Sequence, residues 1–376
     1  MPRYRRPSRL RNLAGNLLLT LVSCLTFLVV AELVAWQFNP PPSPGLPVDM
    51  FQGGPGGVWI MTPDFRGVMD NRVDFTNVPA AADSSGARIV PAAPAEAPRR
   101  LLVIGDSQTF GHGLSDEDSW PNRLQENLNR RDQAVKVSNL AIPAINIDQY
   151  LARVRVLAPS LGANDTILIG MSWNDLITPP SDQESNRIVA GHLVSVGTGD
   201  SETAIQARVR IYDFTGIRVP RFQNLKTFLD TLSQESALVS TLYPRAKAIY
   251  YRLRDHSPVA DLVKAGVPEA NFLMMRQIAE LIAPTGARLV VVLLPERMFF
   301  EDGPFAVYSV NGRDFPTPDY QAALALPLCK DAAITCLNAF PLLHDHHREG
   351  LVFPVDGHFN AKGAVLIGDW LASELY

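Results

Sequence analysis

Four consecutive apolar residues, Leu101-Leu102-Val103-Ile104, run directly into Gly105-Asp106-Ser107-Gln108-Thr109-Phe110-Gly111, a pattern that turns a buried strand into a helix with a serine at the bend. A hydroxyl placed there sits at the strand's carboxyl end, and the N-terminus of the following helix favours negative charge beside it. That is the address of a nucleophile. Gly-Asp-Ser alone is also an ordinary turn sequence, since each of its residues has local reasons to occupy one.

Three further segments share the position. Asn139-Leu140-Ala141-Ile142-Pro143-Ala144 follows the strand-like run 135–138, and Gly170-Met171-Ser172-Trp173-Asn174-Asp175 follows the run 166–169. Val355-Asp356-Gly357-His358-Phe359-Asn360-Ala361-Lys362-Gly363 precedes a final helical stretch, 362–375. Runs at 288–294 and 334–337 complete five expected strands, with helices over 120–130, 147–157 and 272–283 between them. Strands alternating with helices predict an α/β chain of three layers around a parallel sheet with right-handed crossovers. In such a sheet the segments that follow strands gather along one edge. Read singly, Asn174-Asp175 is also a helix N-cap and Asp356-Gly357 a plain turn.

In order and spacing these four blocks resemble those of the SGNH hydrolases, also called GDSL-type esterases, over residues 99–376 with a long insertion at about 179–270. The resemblance implies a five-stranded, flavodoxin-like sheet, with Ser107 as nucleophile, His358 as its base and Asp356 as the carboxylate that orients the base. It implies oxyanion donors from the backbone N–H groups of Ser107 and Ala144 and the side-chain amide of Asn174. A serine needs an imidazole to take its proton and a carboxylate to fix the tautomer, and the charge on the tetrahedral intermediate needs preorganised donors. No cofactor and no metal is expected.

This chain departs from the family pattern twice. Ala144 stands where the family usually carries glycine, which preserves the N–H donor if the local φ is negative and strains the backbone if it is positive. Asp356 and His358 are separated only by Gly357, where many members have two intervening residues; membrane-anchored relatives share the shorter spacing.

The chain has 376 residues, 47% hydrophobic and 19% charged, enough for one large core or two smaller ones. Its formal net charge of −4 argues against a nucleic-acid binder, which would show a basic face. Arg3, Arg5, Arg6, Arg9 and Arg11 precede a stretch, 13–36, that carries the single charge Glu32. Residues 13–31 are long enough to cross a hydrocarbon core of about 30 Å, with the arginines cytoplasmic and the remainder exported. Glu32 and Trp36 would then lie near the outer interface. Val29-Val30-Ala31 also fits a signal-peptidase site, and Leu21-Val22-Ser23-Cys24 loosely fits a lipoprotein signal. Each of these readings puts the rest of the chain outside the cytoplasm.

The expected organisation is a basic tail and transmembrane anchor at 1–38, a proline-rich spacer and β-like extension at 39–98, and the hydrolase-like domain at 99–376. Within the extension, 58–61 and 73–78 read as short β pieces and 91–98 as a linker. The insertion contains an amphipathic stretch at 225–242, which reads as a helical cap over the site or as an insertion without contact to substrate.

Cys329 and Cys336 could pair in an oxidising compartment, and the three cysteines make no zinc framework. His344-Asp345-His346-His347 looks like a metal cluster but reads as a solvated loop, for want of a partner at helical spacing. His112 is expected either to touch substrate or to cap the surface.

The expected function is that of a single-pass protein of a bacterial inner membrane, with a periplasmic serine esterase acting on acyl, chiefly acetyl, esters of cell-envelope carbohydrate or lipid. O-acyl transfer to a polysaccharide is the close chemical alternative, because the same acyl-serine intermediate serves both. A catalytically silent subunit docked to an integral membrane complex is a second alternative, and a mononucleotide binder using 107–113 as a phosphate loop ranks last.

Overall fold

The computed structural model describes residues 9–38, 45–47, 49–179, 186–189, 192–195, 201, 232, 236–243, 246, 265–300, 309–310, 313–314 and 319–376. Each run read as a sheet strand is one: β1 (Arg99–Gly105), β2 (Val135–Asn139), β3 (Asp165–Ser172), β4 (Arg288–Leu294) and β5 (Thr335–Asn338). They form one sheet in the order β5-β4-β3-β1-β2, and every pairing is parallel. This is the flavodoxin-like order, in which the chain reverses direction across the sheet between β1 and β3 and leaves a crevice at their carboxyl ends.

The pleat sends alternate residues to opposite faces, and each face carries its own core. Leu102, Ile104, Ile167, Ile169, Val291 and Leu293 pack into one cluster with residues of α4 (Ile147–Leu157), α6 (Val267–Ile282) and α7 (Tyr320–Asp331). Leu101, Val103, Leu168, Val290, Val292 and Leu294 pack into the other with α3 (Trp120–Arg130) and α8 (Ala361–Leu375). The three-layer expectation is met.

The segment before the sheet contributes more than its composition suggests. Met50, Trp59, Met61, Phe65 and Met69 are buried in the first cluster. Two small antiparallel pairs, Phe51–Gly53 with Trp59–Met61 and Arg66–Met69 with Val78–Ala81, carry Trp59, Met61 and Met69, and Met50 and Phe65 flank them. The β piece expected at 73–78 is instead a turn built on buried Asn71, whose side-chain oxygen accepts the N–H groups of Val73, Asp74 and Phe75 at 3.0, 2.8 and 3.1 Å. A local side-chain acceptor there outcompetes a strand ladder.

The chain divides into two compact units, Met1–Ser43 with Pro220–Tyr250, and Pro44–Val219 with Tyr251–Tyr376. In the first, α1 (Arg9–Phe38) contains a stretch, Gly15–Phe38, long and apolar enough to cross a membrane. Glu32 on it accepts the N–H groups of Ala237 and Leu238 at 2.7 and 3.2 Å and the Ser236 hydroxyl at 2.9 Å. The carboxylate expected to reach water is thus hydrogen-bonded to the insertion. Of the amphipathic stretch 225–242, residues 225–231 and 233–235 lie outside the described residues, and 237–243 are helical. In the second unit, Cys329 and Cys336 form a disulfide between α7 and β5, with Cα atoms 6.2 Å apart.

Candidate active site

The carboxyl edge of β1 and β3 is packed tightly enough to demand glycine. A Cβ on Gly105 would come within 2.3 Å of Thr109 Oγ1 and 2.9 Å of the Gly170 carbonyl, so neither Gly105 nor its register partner Gly170 has room for a side chain. The chain then turns at Asp106 into the one-turn helix α2 (Ser107–Phe110), with the Asp106 carboxylate capping the Gln108 N–H at 3.0 Å. Ser107 is left as the first residue of that turn, its side chain at the sheet edge.

Asp106 is buried and also joins the first block to the third. It accepts the Ser172 hydroxyl at 2.9 Å and a hydrogen bond from the Asn174 side chain. Burial pushes its carboxyl above the usual range, opposed by those bonds and by the charge of His358. Asn174 belongs to the short helix α5 (Trp173–Ile177), started by a reciprocal capping box between Ser172 and Asp175. Tyr150 donates its hydroxyl to the buried Asp175 carboxylate at 3.0 Å, and Asn271 donates to the Asp175 carbonyl at 2.9 Å. The amide thus stands on a base braced by α4 and α6.

The fourth block folds as a tight loop before α8. The Phe353 N–H reaches the His358 carbonyl at 2.8 Å and the Gly357 N–H reaches the Phe353 carbonyl at 3.0 Å. Gly357 has φ +84°, in the left-handed region that glycine enters without strain. His358 Nε2 lies 2.7 Å from Ser107 Oγ, and His358 Nδ1 is hydrogen-bonded to Asp356 Oδ1. Burial disfavours the imidazolium, but the bond and charge of Asp356, with the charges of Asp106 and Glu296, hold the His358 pKa above its ordinary value. Burial also works against the Asp356 carboxylate, and the His358 hydrogen bond and charge outweigh it, lowering its pKa.

A cavity of about 410 Å³ opens over these groups, lined by Ser107, Asn174, Glu296, Arg297, Asp356 and His358, with Gln108 and Val355 among the others. Ala144 is not in this lining. It sits in an exposed turn at φ +61°, the conformation for which the family's glycine is suited.

Three contributors escaped the sequence reading. Glu296 lies two residues beyond β4 and takes a hydrogen bond from the Asn174 N–H; burial and the charge of Asp106 raise its pKa to about 7. Its place after a parallel strand is the signal that could have found it. Asp74 accepts the N–H groups of Val355 and Asp356 at 3.0 and 2.6 Å, and nothing local in the sequence announces that. Arg88 is fully buried, paired with Asp116 at 2.8 Å and donating to the carbonyls of Phe110, Gly111 and Leu114, so it clamps the chain that follows α2. His112, expected at the surface or against substrate, is buried behind Asp356. The His344 ring stacks on Phe340 and His347, while His346 and His347 turn Nδ1 to backbone carbonyls.

No family model matches the chain. An arylesterase of Vibrio mimicus is 29% identical over 121 residues, 32% of this chain and 58% of that protein's length. All four blocks stand at one sheet edge, with serine, imidazole and carboxylate in a single hydrogen-bonded line. In these features the chain resembles the SGNH hydrolases. Among solved structures it is similar to a lipolytic G-D-S-L family member from Veillonella parvula, at 12% identity and a TM-score of 0.37, over 74% of this chain and 98% of that one. An acetyl xylan esterase variant from Geobacillus stearothermophilus aligns at 12% identity and a TM-score of 0.36, over 73% and 94% of the two chains. The chain spans 58% of the length of that arylesterase.

Proposed function

We propose that this chain is a membrane-tethered, extracytoplasmic serine hydrolase that cleaves short acyl esters of cell-envelope carbohydrate or lipid through an acyl-Ser107 intermediate. The observation that carries the reading is the 2.7 Å approach of His358 Nε2 to Ser107 Oγ with Asp356 on the other ring nitrogen. In this reading Ser107 Oγ attacks the ester carbonyl as its proton passes to His358, and Asp356 stabilises the imidazolium. The charge on the former carbonyl oxygen meets the Ser107 N–H and the Asn174 amide, and loss of one such donor typically costs about 10²–10³ in rate. The imidazolium returns its proton to the leaving alcohol. Water, activated by the same His358, then releases the acid, while a sugar hydroxyl in its place would give transfer.

Gln108, Asn174, Glu296 and Arg297 in the cavity lining support a polar alcohol on the ester. The apolar helix Gly15–Phe38 supports a tether, and the Cys329–Cys336 disulfide supports an oxidising compartment. Substrate, inner-membrane location and any integral membrane partner rest on this reading.

The test is labelling of the full chain by a fluorophosphonate probe and turnover of a chromogenic acetate. Both are expected to vanish in Ser107→Ala, and turnover in His358→Ala, while Asp356→Asn retains weak turnover. Burst kinetics with and without an oligosaccharide acceptor separate hydrolysis from transfer. A parent that neither labels nor turns over, and copurifies in fixed stoichiometry with a membrane complex, would be the silent subunit instead.

A further inference from the structure

His112 lies just beyond the nucleophile's helix, outside the four blocks and outside the cavity lining. Its Nε2 is 3.7 Å from Asp356 Oδ2, the oxygen that His358 does not use. Its ring centroid is 4.7 Å from that of His358, and 5.3 Å from that of Phe75, whose ring stands nearly perpendicular to it. The residue is 5% exposed, and its Nδ1 has no hydrogen-bond partner. We propose that His112 is a positioning residue for the triad, a neutral imidazole whose Nε2–H faces Asp356 Oδ2 and keeps Oδ1 turned toward His358. This rests on the serine-hydrolase reading and adds a residue to it.

The tautomer follows from the surroundings. A lone pair on Nε2 would face an anionic oxygen, so the proton belongs there and the lone pair on the unpartnered Nδ1. The gap of 3.7 Å is longer than a formed hydrogen bond, and bonds of this kind commonly tighten only in the reacting complex. Neutrality has a physical cause as well. Burial first, then the charges of His358 and Arg88, hold the His112 pKa down to about 4 against the pull of Asp356. A second imidazolium here would compete with His358 for the same carboxylate, whereas a neutral donor orients it without that competition.

The role has a signed consequence for the base. His358 is acted on by Asp356, Asp106 and Glu296, all of which favour its charged form. A donor on Oδ2 makes the Asp356 carboxylate less basic and so tempers its effect on His358. Removing the donor should raise the His358 pKa, because the Asp356 charge is then no longer tempered.

The experiment compares parent, His112→Phe and His112→Gln as full chains, measuring kcat, KM and the acid limb of kcat/KM on a chromogenic acetate, with fluorophosphonate labelling of the parent as control. In His112→Phe, kcat is expected to fall about tenfold at constant KM, with the acid limb moved to higher pH. In His112→Gln, which keeps an N–H donor, both are expected to return toward the parent. A lowered kcat with an unmoved limb would reduce His112 to packing, and parental kinetics would give it no role; either overturns the proposal while leaving the triad intact. A parent that does not label overturns the serine-hydrolase reading and this inference with it. Should His112→Phe not fold, His112→Leu, close to imidazole in volume and equally unable to donate, is read in the same way.

Discussion

Asp74 holds Asp356 by its backbone: the Asp356 N–H lies 2.6 Å from Asp74 Oδ2, and the same carboxylate oxygen takes the Val355 N–H at 3.0 Å. The two residues are 282 positions apart, and the bond ties the segment before the sheet to the loop that carries His358. Charge-assisted bonds to backbone N–H groups are among the stronger ones, and misplacing a catalytic group by about 1 Å can cost about 10²-fold in rate. Asp74→Ala is therefore expected to lower kcat/KM by about 10- to 100-fold, with Asp74→Asn intermediate. Steady-state kinetics on a chromogenic acetate check this, and a parental rate in Asp74→Ala would remove the loop from Asp74's control.

Ala144 sits at φ +61°, where an L side chain costs about 1–2 kcal/mol and glycine costs little. Ala144→Gly relieves that strain, partly offset by the freer unfolded chain. The expected outcome is a Tm equal to or slightly above the parent's and a kcat that is equal or higher. A clear fall in both would mean that the methyl group packs usefully.

Glu296 has a folded pKa of about 7 against an ordinary value of 4.5, because burial and the charge of Asp106 disfavour its ionisation. Between those values the folded chain binds the extra proton, so this group's contribution to stability is full below the lower value and is lost as pH rises through the upper one. In Glu296→Gln the loss of Tm between pH 5 and pH 8 (about the window set by those two values) should be smaller than in the parent. Its charge also favours the His358 imidazolium, so the acid limb of kcat/KM should move to lower pH in the same variant. Thermal melts and rate profiles across that range measure both, and a limb that moves upward would reverse the assignment.

Arg88 is wholly buried, with Asp116 at 2.8 Å and Phe110's ring centroid 4.5 Å beneath its guanidinium. Arg88→Ala leaves a largely buried carboxylate and three carbonyls without their donor, a loss of about 3–5 kcal/mol for a broken buried pair. Urea denaturation followed by far-UV circular dichroism should register it as a lower midpoint. A change under about 1 kcal/mol would show that water replaces the guanidinium.

The runs of β1, β3 and β4 were legible because most of their residues are buried whichever face they point to, while β2 alternates buried and half-buried residues, and α3 and α4 begin and end at the residues that periodicity marked. The blocks around Ser107, Asn174 and His358 were legible because each follows a strand or precedes a helix, where a turn's chemistry is local. The segment before the sheet was read as spacer and short β pieces because Asn71, Asp74 and Arg88 act through partners far along the chain, and no local pattern records such partners. His112 was misplaced for the same reason: one imidazole after a short helix looks alike whether it faces water or the back of a carboxylate.

What the sequence by itself determined is the order of strands and helices, the serine, histidine and aspartate set at the ends of those elements, and an apolar stretch fit to cross a membrane, all of which depend on near neighbours in the chain. Only the tertiary structure decided the 2.7 Å meeting of His358 with Ser107, the left-handed turns at Ala144 and Gly357, the place of Glu296 in the cavity lining, and the hold of Asp74 and Arg88 on the loops that carry His358 and follow Ser107. Those depend on distances between residues up to about 280 positions apart, which are set when the sheet closes its two cores and brings its loops to one edge.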